Sequence, residues 1–342
     1  MLRSERAGGK TLEIRHLNTS FFTMKGEARV VNDVSLDVYP GQITGIVGES
    51  GCGKSMTARS VMGLVKYPGR VVGGEILLGG IDMAALPEKE RCALRGSEIS
   101  MIFQEPMTSL NPLMKVGRQV EETIRIHEKV TRAEARERTE AMFTQVGISD
   151  AAQRMECYPH QLSGGLRQRV MIAMAMILKP KLLIADEPTT ALDVTVEAQI
   201  LRLMRSLCDS GTSILLISHN LGVIAQVCDY VYVMYAGRVV EQADTCTLFD
   251  HPVHPYTKGL LKAASSIRSD AARLDTIPGV VPDLLHLPPG CSFSPRCEQC
   301  MEQCVKEVPD MTFAGAQDGP AGLSAHLARC FLAGAPPKGD GI

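Results

Sequence analysis

The residues best suited to chemistry stand in one run, Gly48-Glu49-Ser50-Gly51-Cys52-Gly53-Lys54-Ser55, in which two glycines are separated by four residues and followed by Lys and Ser. Glycines let a backbone curl with its N–H groups pointing inward, and a helix starting just after them offers its positive end to the same anion. Lys54 is long enough to reach terminal phosphates, and the Ser55 hydroxyl is a ligand for magnesium. This is chemistry for a nucleoside triphosphate. A carboxylate pair, Asp186-Glu187, follows the apolar run Leu182-Leu183-Ile184-Ala185. Asp186 can reach the shell of a magnesium ion, and Glu187 can orient or deprotonate the water that attacks a γ-phosphate. A third group, Leu162-Ser163-Gly164-Gly165-Leu166-Arg167-Gln168-Arg169, sets two glycines after a serine at a helix start, again an anion site. One nucleotide does not need two phosphate cradles. The second is therefore assigned to the nucleotide of another copy, and the working unit becomes a dimer with ATP at the interface.

The elements that must position these groups follow from hydrophobic pattern. Residues 42–47 form a short apolar strand ending at Gly48, and residues 56–65 read as a helix, so strand, loop and helix come in the order a phosphate loop requires. Residues 12–17 and 34–38 predict two earlier strands, with Phe21, Phe22 and the turn Lys25-Gly26-Glu27 between them. An aromatic there suits either a nucleotide base or the core. Residues 73–78 and 98–103 predict two further strands, the second ending at Gln104. Residues 116–178 change to helical periodicity, an inserted helical subdomain with a strongly charged stretch at 129–143 and a polar break at 155–161. The run 181–185 is of the continuous apolar type that suits a central parallel strand, and ligands bind at the carboxyl ends of such strands. A last run, Ser213-Ile214-Leu215-Leu216-Ile217, leads into Ser218-His219.

Composition bounds the rest. A chain of 342 residues buries a full core and is one sizeable domain with an appendage, or two. A net charge of −2 gives no overall basic field for nucleic acid. Residues 1–10 are polar and lack the apolar segment of a secretory signal, so nothing here sends the chain out of the cytosol. The longest apolar run, residues 170–178, is far short of the roughly 20 residues needed to cross a bilayer, so any membrane role is exercised from the side. Eleven cysteines, an odd number, argue against a disulfide framework in such a compartment. Cys52, Cys92, Cys157, Cys208, Cys228 and Cys246 lie in patterned segments, where most suit a small apolar core residue. Cys291, Cys297, Cys300, Cys304 and Cys330 crowd the tail. There a thiol set more often binds metal than forms disulfides, and thiolate softness leaves zinc, iron–sulfur and loose cysteines in a loop-rich tail all open.

The set of Gly48 to Ser55, Gln104, Ser163-Gly164-Gly165, Asp186-Glu187, Ala191-Leu192-Asp193 and Ser218-His219, in this order, resembles the ATP-binding subunit of an ABC transporter. The resemblance implies an α/β P-loop NTPase core, a mixed sheet flanked by helices, over residues 1–247. A helical subdomain occupies about residues 110–180, and a cysteine-containing extension residues 248–342. It implies that Phe21 stacks on the base, that Gly48, Glu49, Ser50, Gly51, Cys52, Gly53, Lys54, Ser55 and Met56 hold the phosphates, and that Ser55, Gln104 and Asp186 surround Mg2+. Glu187 and His219 act with Gln104 in catalysis, and Ser163, Gly164, Gly165 and Asp193 close on the other subunit's nucleotide. Leu166 stands where Gln is commoner, and the glycine cradle survives that change.

Within the family, Gln104-Glu105-Pro106-Met107-Thr108-Ser109, Tyr158-Pro159-His160-Gln161 and the tail signals His254-Pro255-Tyr256, Ile277-Pro278-Gly279 and Pro288-Pro289-Gly290 resemble the oligopeptide, dipeptide and nickel importers. The Pro-rich tail signals read locally as loop rather than helix. The resemblance implies a four-iron cluster, or zinc, on Cys291, Cys297, Cys304 and Cys330, with Cys300 an extra thiol. The implied function is ATP hydrolysis that energises import of peptides or a related small solute. The implied partners are a second ABC ATPase subunit of the same or a different chain, transmembrane permease subunits and, indirectly, a solute-binding protein, with no nucleic acid. Its place is the cytoplasmic face of the inner (plasma) membrane. A soluble ABC ATPase acting on nucleic acid or the ribosome is the alternative. Such proteins commonly carry two cassettes or long coiled coils, and neither is present here.

Overall fold

The computed structural model describes residues 9–104, 109–190, 192–266, 276–314 and 325–333. The expectations for residues 1–8, for Glu105 to Thr108 and for Ala191 lie outside them. The strands in chain order are β1 (Leu12–Thr23), β2 (Gly26–Val38), β3 (Ile43–Val47), β4 (Gly69–Leu78), β5 (Ile81–Asp82), β6 (Ile99–Ile102), β7 (Leu182–Asp186), β8 (Ser213–Ser218), β9 (Tyr230–Tyr235), β10 (Arg238–Asp244), β11 (Thr312–Phe313) and β12 (Leu327–Ala328). The chain divides into two compact units, one formed by Met1–Glu13, Asp37–Ile43 and Ile76–Ile217 and the other by Ile14–Leu36, Thr44–Glu75 and Ser218–Ile342.

In the first unit β7 lies between β6 and β8, all parallel, with Ile99 opposite Leu182 and Leu182 opposite Ser213. Every residue of these three strands is buried. Burial of both faces explains why they read as unbroken apolar runs without alternation. Between β6 and β7 the chain forms the expected helices, Val116–His127, Arg132–Gln145, Ala151–Arg154 and Gly164–Met176. Arg132–Gln145 begins where Thr131 Oγ1 accepts the Glu134 N–H at 3.2 Å. It buries only Ala135, Thr139, Met142 and Phe143, spaced to share one face of the helix, and leaves its charges to water.

In the second unit β3 runs parallel to β9, with Thr44 opposite Tyr230 and Val47 opposite Val233. β10 folds back antiparallel on β9, and the tail then adds β12 beside β10 and β11 beside β12. The tail is thus less loop than its proline content predicts. Pro255 opens the helix Pro255–Ser266. Its fixed φ suits a helix's first turn, where no intrahelical partner is needed for its missing N–H. Tyr256 and Phe293 are almost fully buried and pack with Tyr235, ring centres 4.6–5.4 Å apart. The first hairpin also departs from the pattern, since β1 and β2 run well beyond 12–17 and 34–38. His16 and Asp33 have positive φ, 48° and 59°, and pair Nδ1 to Oδ1 at 2.7 Å. Asn18 accepts the Asp33 N–H at 3.0 Å. Side chains satisfy the backbone there, so the polar interruption bends the hairpin without ending it.

Candidate active site

The phosphate loop leaves the buried strand β3 and enters the helix Lys54–Val61. Gly53 sits at the junction with φ of 103°, and a Cβ there would lie 2.5 Å from the Val30 carbonyl oxygen, so no other residue fits. A Cβ on Gly51 would meet nothing within 4 Å, and Ser50 and Gly51 are exposed, so the crest of the loop is open to a phosphate. Lys54 is 5% exposed and donates to the carbonyls of Gly48 at 2.7 Å and Glu49 at 2.9 Å. Its ammonium is held over the loop by the loop's own backbone. Burial pushes the Cys52 thiol up, with Lys54 opposing, so Cys52 sits beside the ammonium as a neutral thiol. Ser55 and Met56 follow on the first turn of the helix.

The same unit holds Phe21 and His219. Phe21 is half-buried, and its ring lies where a Cβ on Gly69 would be, within 2.7–2.9 Å. Phe22 is 39% exposed, with the Arg70 guanidinium 4.2 Å above its ring. His219 is exposed directly after β8, ahead of Asn220, which caps the helix Leu221–Val227 by accepting the Gly222 N–H at 2.9 Å.

The other unit brings the acidic groups together. Parallel pairing of β6 with β7, Ile102 opposite Ala185, carries Gln104 and the pair Asp186-Glu187 to the same carboxyl edge. Asp186 is 1% exposed. Glu187 has a left-handed φ of 48°, and its N–H donates to the Ile217 carbonyl at 2.9 Å. Its Oε2 accepts from Gln104 Nε2 at 3.2 Å and from Thr190 Oγ1 at 3.0 Å. Strain of this kind costs of order 1–3 kcal/mol and persists where surrounding contacts over-determine it. Two donors on one oxygen fix the orientation of the carboxylate.

Ser163 caps the helix Gly164–Met176, its Oγ accepting the Leu166 N–H at 3.3 Å, and Ser163 and Gly164 are exposed. Asp193 caps Val194–Asp209 in the same way, accepting the Val196 N–H at 2.9 Å. Both therefore have a structural duty besides any nucleotide contact. Gln168, which the sequence did not single out, is buried and donates Nε2 to the Pro188 carbonyl at 2.6 Å. It ties the serine–glycine helix to the loop just beyond Glu187.

In the tail, Cys291, Cys297, Cys304 and Cys330 line one small cavity, with Phe293, Phe331 and Leu332 among its other walls. Cys300 is exposed and does not line it. Burial pushes Cys291 up to about 11 and Cys297 and Cys330 upward as well, and the neighbouring sulfurs add to the rise. Among the described residues no three His, Cys, Asp or Glu side chains converge as a single bound ion requires. Nor, among them, is any helix long and apolar enough to cross a membrane.

A family model described as "ABC transporter" matches residues 31–190, and one described as "Oligopeptide/dipeptide transporter, C-terminal region" matches 240–304. The oligopeptide transport ATP-binding protein OppD of Salmonella typhimurium is 50% identical over 304 residues, which cover 89% of this chain and 90% of that protein. AppD of Bacillus subtilis, also an oligopeptide transport ATP-binding protein, is 47% identical over 94% of this chain and 96% of its own. The solved ATP-binding cassette MJ0796, a dimer in a post-hydrolysis state with ADP and Pi, matches 68% of this chain and 98% of its own with a TM-score of 0.63 at 24% identity, a likeness of fold. With near-half identity along nearly all of its length and both family models in their proper order, the chain belongs to the ABC transporter family, among the oligopeptide and dipeptide transport ATP-binding proteins.

Proposed function

We propose that this protein is the ATP-hydrolysing subunit that energises import of peptides, or of a related small solute, through a membrane permease. The observation that carries the reading is the presence, in one chain, of the full set of cassette motifs and the oligopeptide/dipeptide C-terminal region at 240–304. The reading divides the chain into a cassette over 1–247 and an extension over 248–342, and the order of the two matches supports it. The proposed partners are a second ATPase subunit, alike or unlike, and permease subunits at the cytoplasmic face of the membrane. A solute-binding protein engages indirectly.

In this mechanism the Gly48–Ser55 backbone and Lys54 bind the β- and γ-phosphates, and Ser55, Gln104 and Asp186 would hold magnesium, which would neutralise phosphate charge. Glu187, oriented by Gln104 and Thr190, takes the proton of the attacking water. His219 contacts the γ-phosphate, and Phe21 packs against the base. Ser163, Gly164, Gly165 and Asp193 complete the partner subunit's nucleotide site, so ATP holds two subunits together and hydrolysis releases them. The dimeric form of the MJ0796 cassette supports this arrangement.

Cys291, Cys297, Cys304 and Cys330 would hold a metal in the extension, as zinc or an iron–sulfur cluster. Four thiols around one apolar-walled cavity supply a fitting donor set. Zinc needs four donors within about 2.3 Å of one point. Thiolate softness suits zinc and an iron–sulfur cluster alike. The raised thiols must lose their protons on binding, so metal affinity falls as pH falls.

Purification with the permease subunits into vesicles tests the function, with peptide uptake and peptide-stimulated ATP hydrolysis as readouts. A complex that hydrolyses ATP without moving peptides or any other small solute, or a chain that instead travels with ribosomes or DNA, overturns it. Iron, sulfide and zinc assay of anaerobically purified protein tests the cluster, and metal-free protein with a folded tail removes it.

A further inference from the structure

Glu49, the second residue of the phosphate loop, uses every polar group it has. Its carbonyl oxygen accepts from Lys54 Nζ at 2.9 Å, and its N–H donates to Tyr256 Oη at 2.8 Å. Its carboxylate receives Arg296 through both oxygens, Nη1 at 2.7 Å and Nη2 at 3.1 Å. Tyr256 and Arg296 both belong to the tail, Arg296 lying 247 residues further along the chain.

The guanidinium is 4% exposed, and a charge so placed is stable only with its donors satisfied. Its Nε donates to the Pro278 carbonyl at 2.9 Å, Nη2 also to Ile277 at 3.1 Å, and Nη1 also to Tyr235 Oη at 3.4 Å. With the two Glu49 oxygens these make one acceptor for each of its five N–H groups. The turn Ile277-Pro278-Gly279 wraps the side chain closely: Gly279 has φ of 81°, and a Cβ there would lie 3.1 Å from Arg296 Cγ. Arg296 ends the 3-10 turn Ser294–Arg296, and the aromatic cluster of Tyr235, Tyr256 and Phe293 backs the same contact. This is a preorganised fork, and its only carboxylate partner among these contacts is Glu49.

We propose that Arg296 is a positioning residue for the phosphate loop: with Tyr256 it fixes Glu49, and through the Glu49 carbonyl it fixes Lys54, so that ATP affinity depends on the folded C-terminal region. The inference rests on the reading of Gly48 to Ser55 as the phosphate-binding loop. A bidentate clamp on the loop's second residue limits tilting of the backbone that carries the inward N–H groups. It should act on binding of nucleotide in the ground state more than on the chemical step.

The test is ATP binding by the full chain, read with a fluorescent nucleotide, together with KM and kcat for hydrolysis, in Arg296→Met, Glu49→Gln and the double variant. The expected result is a Kd and KM raised about tenfold in each single variant with kcat at saturation within about threefold, because uniform binding is what is lost. The double variant should be no worse than either single one, since the two residues act as one unit. Arg296→Lys, which keeps the charge and one hydrogen bond, should recover part of the affinity. If Arg296→Met does not fold, Tyr256→Phe and Glu49→Gln carry the same prediction. Folded variants with wild-type Kd, or losses that multiply in the double variant, overturn the proposal. If Lys54→Ala also binds ATP normally, the phosphate-loop reading itself is wrong; if only Lys54→Ala loses binding, the loop stands and the role of Arg296 falls.

Discussion

Replacing Glu187 by Gln separates the catalytic use of this side chain from its structural use. The Glu187 oxygen that accepts from Gln104 and Thr190 has a near-isosteric counterpart in the amide oxygen of glutamine, which has two lone pairs and can keep both contacts. What disappears on the structural side is the charge assistance of these bonds, about 1 kcal/mol at a half-exposed site, a factor of a few in any equilibrium. What disappears on the catalytic side is the base. A positioned general base contributes about 10²–10⁴-fold, or about 3–5 kcal/mol of barrier. The two scales differ enough to decide the matter. Glu187→Gln should bind ATP within about threefold of the parent and unfold within about 4 °C of it, while single-turnover hydrolysis falls at least about a hundredfold. Glu187→Asn sharpens the test, because asparagine tolerates the left-handed φ of 48° better than Glu does. It should be at least as stable as the parent and equally inactive. A fall in turnover below tenfold in Glu187→Gln, with binding intact, would refute the assignment of the base.

Three further outcomes follow from the same geometry. Lys54→Ala removes a buried ammonium that organises two loop carbonyls, and should weaken ATP binding about 10- to 100-fold in equilibrium titration, the worth of one or two charge-assisted hydrogen bonds. Ser163→Ala should cost about 1 kcal/mol in denaturant unfolding through loss of the helix cap, whereas Ser163→Asn keeps the cap, and both should lower hydrolysis by the assembled dimer. Acid should destabilise the chain early. His254 is 1% exposed, its Nδ1 accepts the Tyr256 N–H at 3.1 Å, and burial lowers it to about 4 from 6.5, so it folds neutral. A group whose folded value is lowered contributes its full stability above the unfolded value. That stability is lost as pH falls from about 6.5 towards 4, roughly 3 kcal/mol in all. Glu241, lowered by His326 and the Val253 and His254 N–H groups against its burial, adds a loss in the same direction below its unfolded value near 4.5. Unfolding midpoints at pH 7, 5.5 and 4.5 should therefore decline, and His254→Asn should flatten the upper part of that decline.

What could be read from sequence was local. Strands β7 and β8 announce themselves because both faces are buried and every residue before the terminal Asp186 of β7 and throughout β8 is apolar or small. The phosphate loop is legible because its chemistry needs residue types at fixed spacing along one stretch of chain. The hairpin β1–β2 was cut short at Asn18 and Asp33 because side-chain bonds replacing backbone ones leave no periodic trace. Pro255 was read as loop because proline excludes only the helix interior, and a start looks the same from the string. Gln168 was missed because a polar residue on a helix is ordinarily solvated, and only its distance to Pro188 reveals its work.

The tail shows why long-range groups escape such reading. Cys330 reaches the cavity of Cys291 and Cys297 because β12 pairs with β10, Ala328 opposite Glu241, and that register is set by a strand 87 residues earlier at its paired position. Arg296, between two cysteines, reads as a solvated charge in a Pro-rich segment until folding brings five acceptors round it. Burying a guanidinium is unfavourable unless each donor is met, so its acceptors must be in place together. Ile277, Pro278, Tyr235 and Glu49 can satisfy it only when tail and phosphate loop are both folded. The same requirement that hides the contact from the sequence makes it a cooperative one: loosening the tail frees Glu49, and loosening Glu49 leaves a buried charge in the tail.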